Sequence, residues 1–210
     1  MEKEILPPIK FKFNIEKFTA CIAMLAQAKL SDFTKLKAVK LLYFIDKYHL
    51  LKYGRPVLGD IYYHWDHGPV PLKSLTVLNE VIDDDDVTGE AGESDKEYLK
   101  HYLRLNKFRA GILRRRRKYP LFELKKAPDF DCLSLSEQEA VREVIKGYGS
   151  LTPWQLREET HKDITWKATA RNDEIDYRLF FEDGSNSSKE ALEYLESLRE
   201  DTEFVFGLSQ

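Results

Sequence analysis

The chain has 210 residues, 42% of them hydrophobic and 33% charged, which is the composition of a globular protein able to bury ~70% of its unfolded surface around one core. No apolar run approaches the ~20 residues of a membrane span, the charged, proline-containing start MEKEILPPIK does not fit an export signal, and Cys21 and Cys132 make neither a zinc pattern nor a disulfide framework. A cytoplasmic protein without metal or cofactor is expected, and a net charge of -3 argues against a uniformly basic nucleic-acid binder.

The expected architecture is mainly α, a compact helical domain with a small two- or three-stranded antiparallel sheet. Residues 1–14 read as an extended arm, 15–182 as the main domain, and 183–210 as a C-terminal helix with an apolar tail. Phe18, Cys21, Ile22, Leu25 and Ala28 recur at helical spacing and predict an amphipathic helix over 15–29. Ser31 and Asp32 are expected to cap the next helix, 33–53, which is apolar on nearly every side. Only a thin stripe through Lys37, Lys40 and Lys47 is polar, so other helices should wrap it. Gly54 ends that helix and Pro56 follows at the distance usual after a glycine cap. The aromatic segment VLGDIYYHW (57–65) predicts a short strand, pairing with 119–134. Pro69 and Pro71 favour a rigid turn, with Pro71 opening a helix to about 82. Ser136 with Glu139, Thr152 with Gln155, and Ser187 with Glu190 have the spacing of capping boxes for three later helices, the second also carrying Pro153 at its first position.

Charge is laid out in blocks. Residues 83–97 hold eight acids, among them Asp83, Asp84, Asp85 and Asp86, against one lysine, the pattern of a solvated loop. Residues 100–126 hold eleven Lys/Arg and one acid, with Arg114, Arg115, Arg116 and Arg117 consecutive, and residues 173–203 turn acidic again. The arginine block admits three readings: a solvated helix end, a phosphate-binding surface releasing counterions, or a contact for an acidic protein. Phe204 and Phe206 in EFVFGLSQ are too apolar to dangle, and either fold back on the core or occupy a partner's groove.

No cluster of reactive side chains completes a catalytic or metal constellation. His64, Asp66 and His67 lie close in HWDH, yet on a strand His67 points away from the other two and no further ligand cluster completes a set. His161 lacks a paired nucleophile, and the chain carries no glycine-rich phosphate loop, G-x-S-x-G or H-E-x-x-H. A non-enzymatic protein is expected.

Two stretches together carry a resemblance. KLLYFIDKYHLLKYGRPVLGDIYYHWDHGPVPLKSL (40–75), a helix ending in YG-x-P, an extended segment and then W-x-x-GPV, resembles the signature of the Panacea domain, the SocA-like antitoxin domain of bacterial and phage toxin–antitoxin modules. LTPWQLREETHKDITWKATA (151–170), a capped helix leading through Thr-His to tryptophan and alanine, is similar to that family's closing motif. The residues carrying the match are Trp65, Gly68, Pro69 and Val70 in the first motif, and Thr152, Leu156, Thr160, His161, Trp166 and Ala168 in the second.

The resemblance implies a mainly helical domain that neutralises a cognate protein toxin by direct contact, without catalysis. In one branch of the family the antitoxin also delivers its toxin to a protease. The alternative is a nucleic-acid-binding regulator using Arg114–Arg117. Only some 14 residues precede the first helix, so self-contained operator binding is not expected, and a homodimer stays open. The residues themselves read as scaffold: Trp65 and Trp166 as large buried anchors, Gly68 and Pro69 as a fixed turn. Partner recognition is then assigned to Asp83–Asp86, Arg114–Arg117, Phe204 and Phe206.

Overall fold

The computed structural model describes residues 9–82, 95–105, 122–182, 189–195 and 197, and the architecture is mainly α, as expected. Residues 9–14 run extended over the core, with the Phe11 ring edge-on to Tyr177 at 5.1 Å. Asn14 caps α1 (Ile15–Gln27) by accepting from the Lys17 amide, and the predicted apolar face is buried at Phe18, Cys21, Ile22 and Leu25, while Ala28, expected on it, is the exposed C-cap. Helix α2 (Lys35–Tyr53) is the hub, packed against α1 and against the elements that follow. It is wrapped so completely that Lys37 and Lys40 of its polar stripe are themselves buried. Thr34, rather than Ser31 or Asp32, caps α2. Asp32 sits in a left-handed turn at φ 51°, and the Ser31 carbonyl accepts a 2.8 Å hydrogen bond from the Lys37 ammonium. Gly54 ends α2 at φ 71°, as expected.

Strands β1 (Tyr62–Trp65) and β2 (Gly68–Pro71) form an antiparallel hairpin, with Tyr62 opposite Pro71 and Trp65 opposite Gly68. This corrects the expected pairing of 57–65 with 119–134 and the reading of Pro69 and Pro71 as turn only. Two residues apart, both prolines occupy positions whose backbone faces away from β1, so the missing N–H groups leave the ladder intact. The pairing also extends one step past the hairpin, where Leu72 N donates to the Ile61 carbonyl.

Helix α3 (Leu72–Ile82) follows at once. Its first amides are satisfied by a residue remote in sequence: the buried Asp60 carboxylate accepts from Lys73 N at 2.9 Å and Ser74 N at 2.7 Å. Helix α4 (Asp95–Tyr102) leads into β3 (Leu103–Leu105), which pairs antiparallel with β4 (Phe122–Leu124) as a second two-stranded sheet.

Helix α5 (Leu135–Tyr148) lies along α2, with Tyr148 stacked on Phe44 at 4.1 Å. Its capping box is Ser134 with Glu137, and the helix runs past Gly147 to a cap at Gly149. The expected pair, Ser136 and Glu139, has other partners: Ser136 Oγ lies 3.0 Å from His49 Nε2, and Glu139 pairs with Lys52 at 2.7 Å. For α6 (Pro153–Lys162) the predicted box, Thr152 with Gln155, and the proline in the first turn are all present. Helix α7 (Ile164–Ala168) and a 3-10 turn at Tyr177–Phe181 complete the packed domain, and residues 189–195 are helical. Among the described residues no helix is long and apolar enough to cross a membrane.

Glu137 also locks α5 to the rest of the fold. Its buried carboxylate accepts from Lys17 Nζ at 2.7 Å and Arg55 Nη1 at 2.6 Å. Burial pushes the carboxyl up, but hydrogen bonds from Lys17, the Ser134 amide and Arg55 outweigh it and hold the group below its ordinary range. A carboxyl whose folded pKa is depressed contributes stability that is present above its unfolded value, near ~4.3, and is lost as pH falls from there through the folded value. Urea denaturation of Glu137→Gln should therefore show a flatter loss of stability between pH 6 and pH 3 than the parent protein. Parallel acid limbs would refute this role.

Candidate functional site

The two sequence motifs, about 90 residues apart in the chain, meet at the β1–β2 turn. Gly68, at φ 89°, is the contact point: a Cβ placed there would lie 2.5 Å from Thr160 Oγ1, 3.1 Å from His161 Cδ2 and 3.1 Å from Lys40 Nζ. The outward carbonyl of Pro69 accepts a 2.7 Å hydrogen bond from Lys40 Nζ. Trp166 Nε1 donates to the Trp65 carbonyl at 3.2 Å. Its ring stacks flat on His161 at 4.1 Å and lies 4.3 Å from the His64 ring. His64 in turn donates from Nδ1 to the Thr169 carbonyl at 2.7 Å. From α2, Tyr43 donates to Asp163 at 2.8 Å and Lys47 pairs with it at 2.6 Å, holding the α6–α7 junction in place.

These contacts account for the residue types of the motifs. Only glycine tolerates both the left-handed backbone and the close approach of α6. Val70 and Leu156 are buried, as their apolar character requires. Trp65 corrects the sequence reading: it is 37% exposed, not a buried anchor, because it is the last residue of β1, next to the hairpin turn. Trp166, also expected as a buried anchor, is only half-buried, in ring contact with His161 and His64. His64, Asp66 and His67 do not converge. Asp66 pairs with Arg171 at 2.7 Å, and among the described residues no group of His, Cys, Asp and Glu could hold a metal. Burial pushes both the Cys21 and the Cys132 thiol up, which makes them poor nucleophiles. Asp83–Asp86, Arg114–Arg117, Phe204 and Phe206, as well as the Ser187 cap, lie outside the described residues.

Three residues that sequence reasoning did not assign to the site belong to it. Trp154 is 61% exposed, edge-on to His67 at 6.1 Å and beneath the Arg157 guanidinium at 5.8 Å. Arg157 also donates from Nη2 to the Asp66 carbonyl at 3.1 Å. Lys40 forms part of a cleft of about 470 Å³ between α2, the hairpin and α3, whose wall includes Leu36, Val39, Trp65, Val70 and Leu75. Burial, and then the charge of Arg157, lowers the Lys40 ammonium to about 7. Burial and the same arginine also lower His161. The available sequence signal for Lys40 was its place in the thin polar stripe of a helix that is apolar on nearly every other side.

All three tryptophans of the chain thus gather round one hairpin turn, at the joint between two distant motifs, on a mainly helical scaffold. The fold and this joint define a small helical domain whose shared residues clasp a hairpin against two helices. The chain belongs to the family described as antitoxin SocA-like, Panacea domain, whose model matches residues 39–167. No curated protein and no solved structure matches the chain.

Proposed function

We propose that this antitoxin-family protein neutralises a cognate protein toxin by binding it directly, and that the surface around the hairpin turn is the contact face. The observation that carries this reading is the exposure of two tryptophans beside the hairpin turn, Trp65 at the end of β1 and Trp154 edge-on to His67. Exposed large aromatic rings next to a concave apolar wall are the residues that most often dominate binding energy at protein interfaces. In this reading the shared motif has two jobs. Its inward half, Gly68, Pro69, Thr160 and Leu156, holds the hairpin on α2 and α6, while its outward half presents the indoles. The protein acts as a stoichiometric ligand and needs no catalytic group.

Co-expression with the protein encoded beside it tests the proposal: growth should be rescued and the two chains should co-purify. Trp154→Ala should weaken the purified complex by about tenfold to a hundredfold, as a central aromatic anchor does, while leaving thermal stability nearly unchanged because the ring is mostly in solvent. A variant that binds as tightly as the parent moves the contact face elsewhere. The lifetime of the toxin in cells with and without the antitoxin reports whether the complex also feeds a protease.

A further inference from the structure

Where the hairpin meets α6, groups that carry or can take a positive charge are packed together with no acid turned toward them among the described residues. His161 Cδ2 and Lys40 Nζ both lie 3.1 Å from the point that a Cβ on Gly68 would occupy. Arg157 stands one turn before His161 on the same side of α6. The ring of His64 is 4.3 Å from the Trp166 ring, whose stack on His161 is flat at 4.1 Å. The acids nearby are engaged elsewhere: Glu158 with Arg157 at the surface, Asp66 with Arg171, and Asp163 with Tyr43 and Lys47. Buried polar atoms without a partner are rare in folded proteins and need an explanation. Among the described residues three such side-chain atoms occur, and two of them, Arg157 Nε and His161 Nε2, are in this joint and closed to solvent.

We propose that this joint is a proton-sensitive clasp: a neutral His161 closes it by stacking on Trp166, and a proton taken up by that ring drives the β1–β2 turn off α6. An imidazolium carries an N–H on both ring nitrogens. Whichever nitrogen receives the proton, the charged ring presents an Nε2–H that is closed to solvent, has no acceptor and lies beside Lys40 and Arg157. A buried, unanswered cation is among the costliest arrangements in a protein, and rotation of the one side chain toward water relieves it. The stack on Trp166 is lost with that rotation, and Trp166 Nε1 is the donor that ties α7 to the Trp65 carbonyl. The change therefore reaches Trp65 and the exposed face beside the turn. Burial, and then the charge of Arg157, lowers the His161 ring; Glu158 opposes this, and Lys40 and His64 add to it. A base whose folded pKa is depressed contributes stability that is complete above its unfolded value, ~6.5, and is lost as pH falls from there through the folded value. The clasp stands on the joint alone, and only its effect on toxin binding rests on the antitoxin reading.

NMR of the full chain between pH 8 and pH 5, above the ordinary carboxylate range, tests the clasp. The His161 ring should titrate between pH 5 and ~6.5. In step with it, the Overhauser contact between its Hδ2 and the Gly68 Hα should vanish and the Trp65 and Trp166 indole signals should shift. His161→Phe keeps a flat ring against Trp166 and takes no proton, so those shifts should be lost while thermal denaturation at pH 8 shows the fold retained. Asp46, which burial pushes up to about 7, titrates in both proteins, and the difference between their curves belongs to His161. Arg157→Gln, an independent variant at a half-buried position, should raise the His161 midpoint by about half a pH unit or more by removing the nearest like charge. A ring that titrates at or above ~6.5, one that stays neutral down to pH 5, one that is protonated with its contact to Gly68 intact, or unaltered shifts in His161→Phe overturns the proposal. The complex with the neighbour-encoded toxin supplies the functional readout: its dissociation should speed by about fivefold or more from pH 7.5 to pH 5.5 in the wild type and stay nearly flat in His161→Phe. If the complex forms while the clasp stays shut by NMR, the clasp is refuted and the antitoxin reading stands. If the clasp opens by NMR while no complex forms at any pH, the antitoxin reading fails and the clasp stands.

Discussion

Asp46→Ala is expected to destabilise the protein by roughly 4 kcal/mol or more, enough to unfold most of it at 37 °C given the usual 5–15 kcal/mol of a domain. Asp46 is fully buried in α2 and has no cationic partner among the described residues. One of its oxygens accepts from Val57 N at 2.9 Å and Leu58 N at 2.8 Å, and the other from the Tyr62 hydroxyl at 3.0 Å. Alanine would leave the buried Val57 and Leu58 amides without an acceptor, each costing about 1–3 kcal/mol, and the Tyr62 hydroxyl with only a long 3.5 Å contact to the Leu42 carbonyl. It would also release the loop that carries the chain from α2 into the hairpin.

The conservative variant separates charge from hydrogen bonding. Burial pushes the Asp46 carboxyl up to about 7. Because the folded value lies above the unfolded one, the associated stability is full below about pH 4 and is lost as pH rises through 7. Asp46→Asn keeps the acceptor for both amides and does not ionise. Its deficit relative to the parent should therefore be small, and should shrink between pH 4 and pH 7. Urea titrations followed by circular dichroism measure both quantities, and an alanine variant within 1 kcal/mol of the parent would show that Asp46 does not anchor this loop.

The second large effect falls on the motif joint. Gly68→Ala should cost about 3 kcal/mol, of which ~1–2 kcal/mol is the left-handed backbone conformation imposed on an L-residue and the rest is steric. The new methyl would meet Thr160 Oγ1 at 2.5 Å. That hydroxyl cannot swing away cheaply, since Thr160 is fully buried and donates to the Arg157 carbonyl at 2.8 Å. Relief has to come from moving the hairpin off α6, so the variant should also lose partner binding at temperatures where it remains folded. Gly147→Ala is the control: the glycine is helical with nothing within 4 Å of the added methyl, and the change should be neutral or stabilise by up to ~1 kcal/mol. Equal thermal midpoints for the two variants would show that the joint tolerates a side chain at Gly68.

Capping chemistry shows where sequence reading succeeds and where it stops. Thr152, Pro153 and Gln155 specify the start of α6 from neighbouring atoms alone, so their spacing was sufficient. For α5 two boxes of identical spacing overlap, Ser134 with Glu137 and Ser136 with Glu139. The choice between them falls to Lys17 and Arg55, which converge on Glu137 from other elements, and to His49, which engages Ser136. Strand pairing failed for a related reason. The aromatic character of 57–65 announces an extended segment but not its partner, and the prolines of β2 looked prohibitive until the register placed them on the outward side of a two-stranded ribbon.

By itself the sequence determined the helical class, the bounds of α2 at Gly54, the capped start of α6 and the family to which the two motifs point. These follow from local forces: side-chain periodicity, caps and the backbone freedom of glycine act within a few residues and leave their spacing in the chain. Only the tertiary structure decided that Trp65 is exposed while Lys40 is buried, and that Gly68 and Thr160 touch. Burial and neighbouring charge are properties of what packs against a residue, and the same lysine that an isolated helix would send into water is enclosed by a hairpin and by a helix more than 100 residues further on.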